Sequence, residues 1–198
     1  MTPHGSTEVA SHWVQRWSHL VAPGGVVLDV ACGYGRHARW FHARNHPLAL
    51  VDREHAALDS IARSLPAQAF EAQVADIENA PWPFPGRRFD AVVVTNYLWR
   101  PLLPTLLGSL AAGGVLIYET FAAGNETIGK PSRPDFLLRP GELLDICSEL
   151  RIVAFEDGFE DGFKKETANS DGGPTRFVQR ITAVREAAGL APAQRYRL

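Results

Sequence analysis

The sequence contains few cysteines, little net charge and no long apolar run. Its 198 residues include two cysteines, Cys32 and Cys147, and carry a formal net charge of −2. Two cysteines are too few for a disulfide framework and lack the spacing of a zinc site, so we expect a reducing, cytoplasmic setting. No apolar run reaches the ~18 residues of a membrane span, and no charged-then-apolar leader is visible, so we expect neither membrane insertion nor export. The near-neutral charge argues against a general nucleic-acid binder.

Histidines are confined to the first third of the chain. All seven lie between His4 and His55. Their spacing matches none of the patterns by which proteins ligate metals, so no metal site is predicted. The apolar fraction of 45% is ordinary for a globular protein, and 198 residues suffice for one domain with a full core.

Residues 26–38 are the most informative segment. The apolar run 26–30 is typical of a buried parallel strand, and Gly33 and Gly35 follow it directly before a helical stretch, 36–43. A strand, a glycine turn and a helix start bring unpaired backbone N–H groups to one place. Because Gly33 and Gly35 lack a Cβ, a ligand can approach the backbone, and we expect a side chain at position 35 to project toward that ligand. The segment predicts a nucleotide-type cofactor site.

The sequence leaves open whether this cofactor is a dinucleotide or another molecule with a nucleotide part. Gly33, Gly35 and Ala38 fit the dinucleotide fingerprint, so NAD is a candidate. An acid within the strand, Asp29, and the small size of the chain argue against a dehydrogenase, which usually adds a second domain. A third interpretation gives the glycines a packing role alone.

Apolar patterns predict strands that alternate with helices. The predicted strands are 26–30, 47–51, 69–74, 89–95 and 115–120, and the predicted helices are 7–20, 36–43, 56–65 and 102–110. Gly113 and Gly114 are interpreted as the turn into the fifth strand. Trp13 and Trp17 share one face of the first helix, where they either pack on the sheet or form an aromatic lid. This alternation predicts a parallel sheet covered on both faces.

The last third of the chain follows a different pattern. A helix is predicted over 139–150, with Pro140 near its first position, followed by strands 151–156 and 176–185 with no helix between them. Two such strands should form an antiparallel hairpin. We therefore predict a Rossmann-like, seven-stranded, mostly parallel α/β sheet that ends in this hairpin. We divide the chain into an N-terminal helical cap (1–22), an α/β domain (23–186) and a C-terminal tail (187–198).

Acidic residues follow two of the predicted strands. Asp52 ends the second strand, and its carboxylate is placed to accept hydrogen bonds from both hydroxyls of a ribose; the alternatives are a solvated aspartate or a helix cap. Asp76 follows the third strand and is either a ligand-binding acid or a turn residue. Ligands of open α/β sheets bind at the carboxyl ends of the strands, where these acids lie.

The order apolar–Asp–x–x–Cys–Gly–x–Gly over 28–35 resembles motif I of the class I S-adenosylmethionine (SAM) methyltransferases. Over roughly 8–185 the chain is similar to the small bacterial methyltransferases of the tellurite-resistance type, most specifically at 28–36, 113–117 and 141–144, whereas segment 121–138 departs from that pattern. The resemblance implies SAM as the cofactor. It assigns Asp52 to the ribose, and Asp76 and Ile77 to the adenine. The residues that it implies around the rest of SAM are Asp29, Ala31, Gly33, Gly35, Arg36 and Thr95.

The resemblance also places the methyl acceptor after the fourth strand. Asn96 and Tyr97 lack the intervening prolines of enzymes that methylate amide or base nitrogens, and no Pro-Cys pair is present. We therefore expect a small soluble acceptor or soft anion, such as a thiol or a selenium or tellurium oxyanion, rather than a nucleic acid. Tyr97 is one catalytic candidate. Arg180, on the last strand, is the other because its guanidinium suits an anionic acceptor, although a surface arginine is the alternative. Further acceptor-side candidates are Trp99, Arg100, Glu119 and Phe121.

Two other functions remain open at this stage. One is a methyltransferase for RNA or protein, and the other is a SAM-binding protein without catalysis. The residues that the first would use for docking are Arg87, Arg88, Arg133, Arg139, Arg195 and Arg197. The sequence predicts no particular oligomeric state.

Overall fold

The computed structural model describes residues 9–162, 175–187 and 195–198. Seven strands form one sheet in the order β3-β2-β1-β4-β5-β7-β6. The strands are β1 Val27–Val30, β2 Leu48–Asp52, β3 Phe70–Val74, β4 Phe89–Thr95, β5 Leu110–Phe121, β6 Arg151–Glu160 and β7 Arg176–Val184. The α-helices are α1 His12–Trp17, α2 Arg36–His42, α3 His55–Ser64, α4 Leu103–Gly108 and α5 Glu142–Ile146. Short 3₁₀ helices span Ser18–Leu20, Ala67–Ala69, Arg100–Leu102, Asn125–Thr127 and Pro134–Phe136.

The first five strands are parallel, and the end of the sheet is antiparallel. Strand β1 lies at the centre of the five parallel strands, where Val30 pairs with Val51 of β2 and with Val94 of β4. Strand β7 lies between β5 and β6 and runs antiparallel to both. The predicted sheet and hairpin are therefore confirmed. Because β1, β2, β4 and β5 point the same way, their carboxyl ends form one edge, at which ligands of such sheets bind.

Apolar residues fill both faces of the sheet. Alternate residues of β1 belong to different clusters: Leu28 and Val30 pack on one face, and Val27 packs on the other with Trp13 and Trp17. The two indole rings are buried, with centroids 5.6 Å apart. Their burial favours packing of α1 on the sheet over an aromatic lid.

The glycine pair of strand β5 is not the predicted turn. The strand begins at Leu110 and runs through both glycines. The Gly113 N–H donates to the carbonyl of Arg185, and a Cβ on Gly114 would lie 2.8 Å from the Phe89 carbonyl oxygen. The pairing of β4 with β5 shifts register here. The glycines therefore allow an irregular stretch of strand to approach its neighbours closely.

The first and last helices depart most from their predicted bounds. The described part of the first consists of α1 and the 3₁₀ turn Ser18–Leu20, and α5 covers five residues of the stretch predicted as 139–150. Gly141, with a φ of +71°, is the N-cap of α5. A left-handed residue cannot continue an α-helix, so Pro140 precedes the helix rather than standing at its first position. In the described part of the chain, no helix has both the length and the apolar character that crossing a bilayer requires.

Candidate functional site

The two glycines between β1 and α2 have different surroundings. Both have positive φ values, +52° at Gly33 and +77° at Gly35. A Cβ on Gly33 would meet nothing within 4 Å, whereas a Cβ on Gly35 would lie 2.5 Å from a side-chain carbon of Ile61. Gly33 thus faces open space, and Gly35 is the site of close packing against α3. The expectation that a side chain at position 35 projects toward the ligand is wrong.

A cavity of about 430 Å³ lies at the carboxyl edge of the sheet beside Gly33. Its volume falls within the range of ~300–1,000 Å³ that is usual for ligand pockets. Six of the predicted site residues line it, namely Ala31, Gly33, Asp52, Asp76, Ile77 and Tyr97. The other lining residues are Tyr34, Arg53, Glu54, Ala57, Ala75, Glu78 and Phe136. The predicted residues that are not part of the lining are Asp29, Gly35, Arg36, Thr95 and Arg180.

Asp52 joins the glycine loop to the start of helix α3. One carboxylate oxygen accepts a hydrogen bond from the Gly33 N–H at 2.7 Å, and the other accepts from the Glu54 N–H at 2.9 Å. Glu54 is the N-cap residue of α3, so the predicted capping role is partly realised. Each carboxylate oxygen has further acceptor capacity, which is available on the cavity side.

Asp76 also combines a turn with a position on the cavity. Its carboxylate accepts from the Glu78 N–H at 3.1 Å and from the Asn79 side-chain amide at 2.9 Å. The hydrogen bond from Asn79, followed by that from Glu78, lowers the pKa of Asp76, so it is an ionised acceptor at neutral pH. Asp76 is thus the predicted turn aspartate and a cavity-lining acid at once.

Asp29 lies behind the glycine loop on β1. It is fully buried, and its Oδ2 atom has no hydrogen-bond partner. Burial raises its pKa from 3.8 to about 7; Arg36 opposes this effect, and the charge of Asp52 adds to it. A polar ligand can donate a hydrogen bond to a buried carboxylate oxygen that has no other partner.

The titration of Asp29 predicts a specific pH dependence of stability. Because its pKa is higher in the folded state, Asp29 binds a proton preferentially in that state, and its contribution is lost as the pH rises from about 4 through about 7. In urea titrations, Asp29→Asn should therefore gain stability relative to wild type by more than about 1.4 kcal/mol, the equivalent of one pKa unit, between pH 4 and pH 8. Parallel pH profiles for the two proteins would contradict the assigned titration.

Arg36 and Thr95 lie beside the cavity rather than on its wall. A guanidinium nitrogen of Arg36, at the start of α2, lies 3.4 Å from the Thr95 hydroxyl at the end of β4. This contact bridges the glycine loop and the neighbouring strand. The contact holds the start of α2 against the end of β4.

Arg180 belongs to a buried ion-pair network. Its nitrogens lie 3.1 Å from Glu119, 3.3 Å from Glu156 and 2.6 Å from Glu160. Arg176 adds contacts of 3.2 Å to Glu119 and 2.8 Å to Glu160. With three carboxylates around it, the Arg180 guanidinium has no free charge for an anionic acceptor, and at 8% exposure it is not a surface arginine either. The prediction that Arg180 binds the acceptor is therefore corrected. Its ion pairs join β7 to β5 and β6.

A second cavity adjoins the first. Its volume is about 280 Å³, and it shares Glu78, Tyr97 and Phe136 with the larger cavity. The rest of its lining consists of Asn96, Leu98, Thr120, Phe121 and Pro131. Phe121, Pro131 and Phe136 come from segment 121–138, so this segment borders the site. Sequence reasoning missed Glu78 and Phe136; the proximity of Glu78 to Asp76 was the available signal.

Arg100 anchors segment 121–138 over the second cavity. Its guanidinium donates to the backbone carbonyls of Asp135 and Leu137 at 2.9 and 2.8 Å and pairs with Glu142 at 2.7 Å. Burial opposes ionisation of Glu142, but hydrogen bonds from Arg100 and Arg139 outweigh it and lower its pKa to about 2. Arg100 is thus a positioning residue for the wall that carries Phe136.

Comparison with known proteins agrees with this geometry. Residues 27–113 match the sequence model of a family described as a methyltransferase domain. A comparison with curated protein sequences finds no significant match.

Solved structures with similar folds include three methyltransferases. TehB from Haemophilus influenzae has a TM-score of 0.69 at 16% identity over 91% of this chain, and the chain spans 64% of the length of TehB. A SAM-dependent methyltransferase from Mesorhizobium loti has a TM-score of 0.64 at 16% identity, covering 89% of this chain and 99% of its own. The glycopeptide N-methyltransferase MtfA, in complex with SAM, has a TM-score of 0.59 at 17% identity, covering 93% of this chain and 98% of its own.

At these identities the solved structures establish the fold alone. The match to the family model is separate evidence, and it includes strands β1 to β4. The predicted fold class is confirmed. Residues 27–113 therefore resemble a methyltransferase domain, and the chain has the fold of solved S-adenosylmethionine-dependent methyltransferases.

Proposed function

We propose that the protein binds SAM in the larger cavity and transfers its methyl group to a small soluble acceptor. The observation that carries this proposal is the convergence of Gly33, Asp52 and Asp76 on one cavity at the carboxyl edge of the sheet. MtfA, which shares the fold, has been solved with SAM bound.

The polar groups of the cavity suit those of SAM. Asp52 has acceptor capacity for the two ribose hydroxyls, and the ionised Asp76 suits an exocyclic amino group, with Ile77 against the adenine ring. Gly33 leaves room for close approach of the ligand to the backbone. Asp29 supplies a carboxylate with an unpaired oxygen behind the loop, beside which Arg36 bears a positive charge.

Methyl transfer makes few chemical demands on the protein. SAM supplies an electrophilic methyl group on a positively charged sulfur. The acceptor's lone pair forms a bond to the methyl carbon as the carbon–sulfur bond breaks, and the bonding pair remains on sulfur. The chain must therefore align the acceptor with the methyl group and exclude water, for which alignment alone contributes ~7–11 kcal/mol to the lowering of the barrier. Tyr97 lines both cavities, which supports a role for it in aligning the acceptor.

The arrangement of arginines favours a small acceptor over a macromolecule. Three of the arginines proposed for docking already have acidic partners: Arg87 pairs with Glu71, Arg133 with Asp135 and Arg139 with Glu142. Paired charges attract a polyanion weakly, because their field is neutralised locally. The small volume of the second cavity also suits a compact acceptor.

Calorimetry tests the choice of cofactor. We expect SAM and its product S-adenosylhomocysteine to bind with micromolar affinity and NAD not to bind. Binding of NAD without binding of SAM would contradict the proposal, because it would favour the dinucleotide interpretation of Gly33, Gly35 and Ala38. Release of S-adenosylhomocysteine in the presence of a small acceptor then separates an enzyme from a SAM-binding protein without catalysis.

A further inference from the structure

The second cavity has a wall that combines aromatic rings with a single carboxylate. Tyr97 lies at the end of β4, Phe121 ends β5, and Phe136 belongs to the 3₁₀ turn that Arg100 holds in place. Glu78 faces both cavities. Among the described residues that line the second cavity, none is a lysine or an arginine.

Two arginines near this cavity, Arg176 and Arg100, have acidic partners. Arg176 donates to the Asn96 side-chain oxygen at 3.2 Å, but the same guanidinium pairs with Glu119 and Glu160. Arg100 is paired with Glu142 at 2.7 Å. Glu78 is therefore the one charged side chain among the described residues that line the second cavity.

From this arrangement we infer that the second cavity holds the methyl acceptor and that the acceptor is a small amine with an apolar body, rather than an oxyanion. The inference rests on the proposed function, since it assumes SAM in the neighbouring cavity. Aromatic faces and a carboxylate attract ammonium and N–H groups, whereas an oxyanion placed beside Glu78 would be repelled.

The direction of charge movement supports the same class of acceptor. The amine, which is protonated in free solution at neutral pH, first loses that proton to water. The neutral amine then donates one N–H to Glu78 and directs its lone pair to the methyl carbon. As the nitrogen–carbon bond forms and the carbon–sulfur bond breaks, the positive charge moves from sulfur to nitrogen, and the product is a methylammonium ion. Glu78 stabilises this charge where it develops, and a preplaced group of that kind lowers the barrier. With an oxyanion acceptor, the charges on sulfur and acceptor would cancel and Glu78 would have no such role.

Two probes of matched shape test the inference by binding. 2-Phenylethylamine, which is cationic at neutral pH, and 3-phenylpropanoate, an anion of similar shape, are titrated into the full-length protein saturated with S-adenosylhomocysteine and followed by ligand-observed NMR. We expect the amine to bind at least tenfold more tightly than the carboxylate. Glu78→Gln should remove this preference, and Phe121→Ala should weaken both probes while leaving the affinity for S-adenosylhomocysteine within threefold of wild type.

The control is Glu149→Gln, because Glu149 is exposed, lines neither cavity and should leave the preference intact. Equal or tighter binding of the carboxylate would overturn the inference, as would a failure of both probes to bind to a complex that forms normally. These outcomes leave the proposed function standing. If S-adenosylhomocysteine itself does not bind, the proposed function fails, and the inference fails with it.

Discussion

Valine in place of Gly35 is expected to destabilise the protein by about 2–5 kcal/mol. The left-handed backbone, with a φ of +77°, costs a side chain about 1–2 kcal/mol, and forcing extra carbons into a packed interior costs about 1–3 kcal/mol. Both penalties apply here, because a Cβ would lie 2.5 Å from a carbon of the buried Ile61. Urea denaturation of the ligand-free protein measures the effect.

Valine at Gly33 provides the matched comparison. Its φ of +52° carries the left-handed cost of about 1–2 kcal/mol, but no atom lies within 4 Å of the added Cβ. We therefore expect Gly33→Val to be the more stable variant and to lose the increase in melting temperature that SAM gives to wild type. Equal destabilisation of the two variants, or a wild-type urea midpoint for Gly35→Val, would show that the two glycines do not have these separate roles.

The contrast between these glycines shows why the fold was easier to predict than the site. Strand β4 was predicted with its observed bounds, Phe89–Thr95, because its apolar run is local and starts after a proline-rich loop. Gly33 and Gly35 look equivalent in the sequence. The residue that distinguishes them, Ile61, lies on a helix distant along the chain.

Arg180 illustrates the same limit in the charged residues. Its position on a strand was predictable, but its partners come from β5 and β6, and the register of three strands places them opposite it. A sequence pattern shows that an arginine is present and does not show which carboxylates neutralise it. The position of segment 121–138 could not be predicted in detail either, because it depends on the long-range contacts of Arg100 with Leu137 and Glu142.

Alanine in place of Asp52 is expected to weaken SAM binding at least tenfold. Hydrogen bonds to a charged group contribute about 1.5–3 kcal/mol each, and about 1.4 kcal/mol corresponds to a tenfold change in affinity, so the loss of one bond to a ribose hydroxyl suffices. The variant should also be less stable without ligand, because the Gly33 and Glu54 N–H groups both lose their acceptor.

Calorimetry and urea denaturation separate these two effects of Asp52→Ala. Glu54→Gln is the control, since its exposed carboxylate lines the same cavity and accepts no hydrogen bond from the glycine loop; its affinity for SAM should stay within threefold of wild type. A loss of stability with unchanged SAM affinity would assign Asp52 to the loop and helix cap alone. The ribose would then have to be held elsewhere on the cavity wall, because Asp52 is the residue through which the glycine loop, the end of β2 and the start of α3 meet.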